Sequence, residues 1–161
     1  MKAVVLSAFG SSDNFIDAEL PLPPLRHGDV RIRVEAVSFN PVDGQIRQGG
    51  SESRLGQSMI LGRDLSGTVD AVHDSVTDLR VGDDVYSYVC TLASSGAYAE
   101  FVSVPAELVA IKPRSLTHAQ AAAVPVAGIT ASMALKRASV GSATSLFIAG
   151  GAGGVGSFAL M

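Results

Sequence analysis

Close to the end of this 161-residue chain, Gly151-Ala152-Gly153-Gly154-Val155-Gly156 repeats the spacing G-x-G-x-x-G. That spacing suits a backbone turning sharply from a strand into a helix while a diphosphate lies against it. Gly151 is expected to permit the bend, Gly153 the close approach, and Gly156 tight packing of helix on strand. A helix opening there presents unpaired N–H groups and a partial positive charge to an anion. The pattern alone is weak, but its context is specific. Ser145–Ala149 is a continuous apolar run of the kind buried on both faces of a parallel sheet, and Ser157–Met161 can open a helix. The acidic residue that usually binds a ribose falls about 20 residues beyond such a motif, past Met161. The chain is therefore expected to be a piece of a longer protein, without enzymatic competence by itself.

A second group of polar residues lies upstream. Asn40 is a good N-cap, with Pro41 suited to the first helical position. Asp43 in the first turn is favoured by the helix dipole whether or not it does chemistry. Arg63-Asp64 reads most simply as a structural ion pair. Thr130 falls inside a helical segment, where its hydroxyl can bond its own backbone. Tyr86, Tyr88 and Tyr98 fall on strands and read as packing residues. His27, His73 and His118 share no metal-ligand spacing and read as surface or capping groups. Cys90, the single cysteine, ends an apolar strand and reads as a buried thiol.

The elements that must position these residues are written in two styles. Up to about residue 112 the apolar period is two. Asp29–Phe39 alternates cleanly, and further strands are expected at Lys2–Phe9, Asp64–His73, Asp84–Val89, Ala97–Val104 and Leu108–Ile111. Turns carrying Gly or Pro separate them, which suggests a small barrel rather than a parallel sheet. A helical turn or two is expected from Pro41, behind Asn40, ended by Gly49-Gly50, with 50–58 as a polar loop. After Pro113 the style becomes helical: Thr117 and Gln120 offer a capping box, and Ala119–Arg137 reads as one alanine-rich helix.

Composition narrows the function. Apolar residues make up 47% and charged residues 17%, enough to build a core. Net charge is −3 with no run of three Lys or Arg, so no nucleic-acid footprint is visible. One cysteine excludes an internal disulfide and any multi-cysteine metal site, which suits a reducing, cytoplasmic setting. The segment Ala119–Leu135 is interrupted by Pro125 and Gly128 and is shorter than the roughly 20 residues a membrane span needs. No membrane partner is expected.

Ordered motifs along the whole chain resemble the zinc-free quinone oxidoreductase branch of the medium-chain dehydrogenases/reductases. They are Met1-Lys2-Ala3-Val4-Val5, Asn40-Pro41-Val42-Asp43, Leu61-Gly62-Arg63-Asp64-Leu65-Ser66-Gly67, Val81-Gly82-Asp83-Asp84-Val85-Tyr86, Gly96-Ala97-Tyr98-Ala99-Glu100, Ala121-Ala122-Ala123-Val124-Pro125, Gly128-Ile129-Thr130-Ala131 and Gly150–Gly156. The resemblance implies a mainly β, GroES-like, partly open barrel over residues 1–116. It implies the first helix and strand of an α/β Rossmann domain over 117–161. The implied reaction is hydride transfer from NADPH, with NADH as the alternative donor, to a quinone or activated alkene. A small-molecule substrate and a homodimer at full length go with it.

By the same resemblance, Asn40 lies beside nicotinamide and substrate, and Thr130, Gly151, Gly153, Gly154, Val155 and Gly156 bind the cofactor. Asn40, Asp43 and Arg63 are the candidate catalytic residues, Asn40 foremost as a donor to a developing oxyanion. Zinc-dependent cousins carry a cysteine and a His-Glu pair where this chain has the Asn40–Asp43 segment and Arg63-Asp64. A guanidinium cannot replace a metal-binding imidazole, so no metal is expected. Without a Lewis acid the acceptor must be electron-poor, which favours quinones and enones. Gln45-Ile46 replaces a frequent tyrosine and His73 a frequent glycine, so the substrate-facing surface departs from the pattern. The rivals are a non-catalytic nucleotide-binding or scaffold protein and a zinc alcohol dehydrogenase.

Overall fold

The computed structural model describes residues 1–49, 59–89, 95–142 and 144–161. The expectations for the 50–58 loop and for Cys90 fall outside them.

Among the described residues, seven strands and four α-helices follow in the order β1 (Lys2–Leu6), β2 (Phe15–Glu19), β3 (Asp29–Val37), α1 (Pro41–Gln48), β4 (Asp64–Val72), β5 (Asp84–Tyr88), β6 (Phe101–Pro105), β7 (Val109–Ile111), α2 (His118–Ala122), α3 (Pro125–Arg137) and α4 (Gly154–Ala159). β1 and β2 form an antiparallel ribbon, and the other strands form one antiparallel sheet in the order β6-β3-β4-β5-β7. Isolated bridges, Ala3 to Ala99 and Val5 to Ile60, tie the ribbon to the rest. Among the described residues no ladder joins β6 to β7, so the mainly β, GroES-like domain stays partly open.

The alternation in β3 carries the core. Val30 and Ile32 are fully buried and pack with Leu65, Val69, Val85, Val102 and Val104. β3 pairs with β4 through register shifts between Arg31 and Ile32 and between Val34 and Ala36. Such bulges bend and twist a strand, and they lie just before the Ser38–Asn40 segment. A second cluster, Leu6, Ile46 and Leu61, with Phe9, Phe15, Val42 and Tyr98 around it, clamps α1 onto β1. Gly62 has φ +96°, and a Cβ there would stand 2.6 Å from the Tyr98 ring. Only glycine fits that turn immediately before Arg63.

Several expectations need correction. β2 was not foreseen. The strand expected from Ala97 begins at Phe101, while Tyr98 and Ala97 bond back to Leu61 and Gly62 carbonyls. The single helix over 119–137 is two, broken at Ala123-Val124; Val124 keeps helical dihedrals, but Pro125 has no N–H with which to continue the ladder and opens a new helix instead. The Thr117–Gln120 capping box forms as read, with Thr117 N–H donating to Gln120 Oε1 at 2.9 Å. Residues 145–149 form no strand, and Phe147 is 90% exposed. A parallel-type strand has no ladder of its own, and no described strand lies beside it. Among the described residues, no helix is long and apolar enough to cross a membrane.

Candidate active site

The polar residues singled out upstream converge at the N-terminus of α1. Asn40 is the N-cap, and the Asp43 carboxylate reaches back to accept its backbone N–H at 2.8 Å. The Asn40 side chain looks elsewhere: Nδ2 donates to Asp64 Oδ2 at 2.9 Å and to Ser38 Oγ at 3.2 Å. Ser38 Oγ donates to the same Asp64 oxygen at 2.7 Å. The other Asp64 oxygen, Oδ1, accepts the backbone N–H of Val126 in the first turn of α3 at 3.0 Å. Asp64 therefore caps a helix 62 residues away while it holds Asn40.

The expected Arg63–Asp64 ion pair does not form. Neighbours at the edge of a strand point to opposite faces, and among the described residues Arg63 has no carboxylate within salt-bridge distance. Its Nη1 donates instead to the Tyr88 hydroxyl at 2.9 Å. Tyr88, read as packing, is thus the partner of a buried cation. It also lines a groove of about 550 Å³ between β5 and α3, together with Pro125, Gly128, Ile129 and Met133. Among the described residues, Arg63 Nε and Asp43 Oδ1 are buried without hydrogen-bond partners, a costly state for polar groups.

Burial pushes the Asp43 carboxyl above its ordinary range, opposed by the Asn40 N–H and by the Arg63 charge, while the Asp64 charge adds to the rise. Burial also raises Asp64, opposed by its bonds from Asn40, Ser38 and Val126 and by Arg63. Burial raises the Tyr98 hydroxyl too, helped by the charges of Asp43 and Asp64. The larger cavity, about 830 Å³ between the β1–β2 ribbon and β3, touches Tyr98 but none of Asn40, Asp43 or Arg63.

The glycine motif forms a turn into α4. Gly153 N–H donates to the Gly150 carbonyl at 2.9 Å, and Gly153 is the N-cap of α4. The positive φ, +78°, belongs to Gly150, and Gly151 is a central residue of the hydrogen-bonded turn that follows. Gly156 does provide close packing: a Cβ there would stand 2.2 Å from the Gly150 carbonyl oxygen. Residues 152–155 are exposed, and the amides of Gly154 and Val155, in the first turn, have no i−4 carbonyl within the helix. The turn therefore suits an anionic diphosphate. α4 packs on α3, where Gly154 lies against Ala127 and Gly128 against Phe158. Thr130, on the same helix, donates its hydroxyl to the Val126 carbonyl at 2.6 Å, the self-bonding that its position suggested.

His118 is more than a capping group, since Nδ1 meets Ser66 Oγ at 2.8 Å and fastens α2 to β4. Ser38, Tyr88 and the Val126 N–H were not identified from sequence. Among the described residues no three His, Cys, Asp or Glu side chains converge as a metal site.

An open, mainly β domain whose polar cluster is fastened to a helix that carries a glycine turn defines the front half of a GroES-like dehydrogenase architecture. The chain belongs to the alcohol dehydrogenase GroES-like domain family, whose pattern matches residues 26–114. Its relatives in the medium-chain dehydrogenase/reductase superfamily include quinone and alkenal/one oxidoreductases and a synaptic vesicle membrane protein VAT-1 homolog-like protein. The NADPH-dependent alkenal/one oxidoreductase of Arabidopsis thaliana chloroplasts is 36% identical over 99% of this chain and 43% of its own length. Among solved structures, an alcohol dehydrogenase superfamily protein from Novosphingobium aromaticivorans matches with TM-score 0.92 and 37% identity, over 99% of this chain and 49% of that one. The quinone oxidoreductase from Coxiella burnetii matches with TM-score 0.90 and 33% identity, over 99% and 51%. The chain thus spans about half the length of the relatives it matches.

Proposed function

We propose that this chain supplies the substrate side, residues 1–116, and the start of the cofactor side, residues 117–161, of an NADPH-dependent oxidoreductase that reduces quinones or activated alkenes without zinc. The observation that carries the reading is the continuity of the site. Asn40 is bonded to Asp64, Asp64 to the first turn of α3, and α3 is packed on the helix that the glycine turn opens. The names of the relatives, an alkenal/one oxidoreductase and a quinone oxidoreductase, support the same class.

A bound reduced nicotinamide would supply the hydride. The amides of Gly153, Gly154 and Val155 would hold its diphosphate, with Gly151 and Gly156 shaping the turn and Thr130 placed on the adjoining helix. Asn40 would lie at the reacting groups; both N–H bonds of its carboxamide are committed to Asp64 and Ser38, so the expected oxyanion donation is replaced by a fixed carboxamide oxygen, an acceptor that would orient the reacting groups. Asp43 would hold the backbone from which Asn40 projects. Arg63 would keep a positive charge beside the two buried carboxyls. A cation in that place repels a metal ion, so the acceptor would have to be electron-poor already.

The test is NADPH oxidation by the polypeptide as encoded, with 9,10-phenanthrenequinone and with a simple enone, alongside metal analysis. Turnover without stoichiometric zinc is expected. Tight NADPH binding without turnover would favour a non-catalytic nucleotide-binding protein, and stoichiometric zinc would favour an alcohol dehydrogenase.

A further inference from the structure

We propose that Asp64 is a positioning residue that sets the orientation of the Asn40 carboxamide and couples it to α3, the helix on which the glycine turn rests. The proposal depends on the reading of Asn40 given above and extends it.

Asp64 is 1% exposed, and each carboxylate oxygen is committed to a different element. Oδ2 takes both Asn40 Nδ2 and Ser38 Oγ, from the segment joining β3 to α1, and Oδ1 takes the Val126 N–H of α3. An ionised carboxylate is acceptor-only and can serve all three donors at once. Because Asn40 Nδ2 is spoken for, the amide plane has one orientation, and its oxygen is the part left to vary least. Strand β4 anchors the carboxylate through its ladders with β3 and β5. A shift of α3 relative to the barrel is thereby felt at Asn40 through two hydrogen bonds and one rigid side chain. An asparagine at 64 could still accept the Val126 N–H, but its own NH₂ would face the Asn40 NH₂, donor against donor, and release the carboxamide.

The experiment is a double-mutant cycle on the polypeptide as encoded. Asp64→Asn should lower kcat roughly ten- to a hundredfold, the scale of an ångström-size misplacement at a reacting centre, with KM for NADPH changed less than about threefold. In an Asn40→Ala background the same substitution should cost little more, since contacting residues that act as one unit are non-additive. Additive losses in kcat, or a folded Asp64→Asn protein with unchanged kcat, would overturn the proposal. If Asn40→Ala itself keeps full kcat, the reading of Asn40 fails first and this proposal falls with it. If Asn40→Ala is slow and Asp64→Asn is not, only this proposal falls.

Should Asp64→Asn not fold, Ser38→Ala tests the same network at a half-buried position, with a two- to fivefold loss of kcat that vanishes in the Asn40→Ala background as the expected result. Amide exchange gives a readout independent of turnover: the Asn40 carboxamide protons should exchange faster with solvent in Asp64→Asn, and unchanged exchange would count against the proposal.

Discussion

Replacing Gly156 by alanine probes the glycine turn where the geometry is tightest. The new Cβ would lie 2.2 Å from the Gly150 carbonyl oxygen, 2.8 Å from Gly151 Cα and 2.9 Å from the Gly150 carbonyl carbon, all backbone. Ordinary contact starts at 3.4 Å, so α4 must withdraw from the turn by 3.4 − 2.2, about 1.2 Å. Backbone atoms cannot rotate aside as a flexible side chain would. The displacement therefore passes to the Gly154 and Val155 amides, which lie two residues and one residue before the substitution. A shift of that size at an anion-binding turn is expected to weaken NADPH binding by about ten- to a hundredfold, or about 1.4–2.8 kcal/mol. Overpacking should also lower stability by about 1–3 kcal/mol. The assay is NADPH titration by fluorescence or calorimetry. Gly141→Ala serves as the control, because nothing lies within 4 Å of a Cβ there and its φ is unstrained. A folded Gly156→Ala protein that binds NADPH as tightly as the parent would refute the assignment of this turn to the diphosphate.

Other expectations follow from the upstream cluster. Asn40→Ala should lower kcat by about ten- to a hundredfold, the cost of losing alignment at a reacting centre, while changing NADPH affinity by less than about threefold in the same titration. Tyr88→Phe removes the acceptor for Arg63 Nη1 and should cost about 1–3 kcal/mol of stability, read as a lower urea midpoint at constant slope. The carboxyls of Asp43 and Asp64 titrate above 3.8 when folded and near 3.8 when unfolded. Between those values the folded state holds the extra protons, so their contribution to stability is greatest below 3.8 and declines as pH rises through the window. Asp43→Asn should flatten that decline in urea midpoints measured from about pH 4 to pH 7, and an unchanged slope would contradict the assignment.

Much of the barrel was legible because burial on one face of a strand leaves period two in the sequence. Val30 and Ile32 in β3, fully buried, are the clearest instance. β2 escaped because Phe15–Glu19 is held by backbone pairing to β1 with mostly exposed side chains, and so carries no alternation. The bend at the glycine turn was readable from spacing, and the positive φ within it belongs to Gly150. The partners of Asp64 were not readable at all, since residues 38, 40 and 126 meet only after the sheet has folded. Adjacent charges in sequence suggested an Arg63–Asp64 pair, whereas the strand sends the two side chains apart, to Tyr88 and to Asn40. The outline of the site thus came from local pattern, and its wiring from tertiary contact.

The proposed function requires direct hydride delivery from the nicotinamide to an activated acceptor beside Asn40. NADPH deuterated at C4 on the transferred face, incubated with an α,β-unsaturated ketone and the polypeptide as encoded, tests it most directly. The account predicts one deuterium at the β-carbon of the saturated product and a rate slowed by the heavier isotope. Cofactor oxidation that leaves the product unlabelled, or no reduction of any enone or quinone, would contradict it.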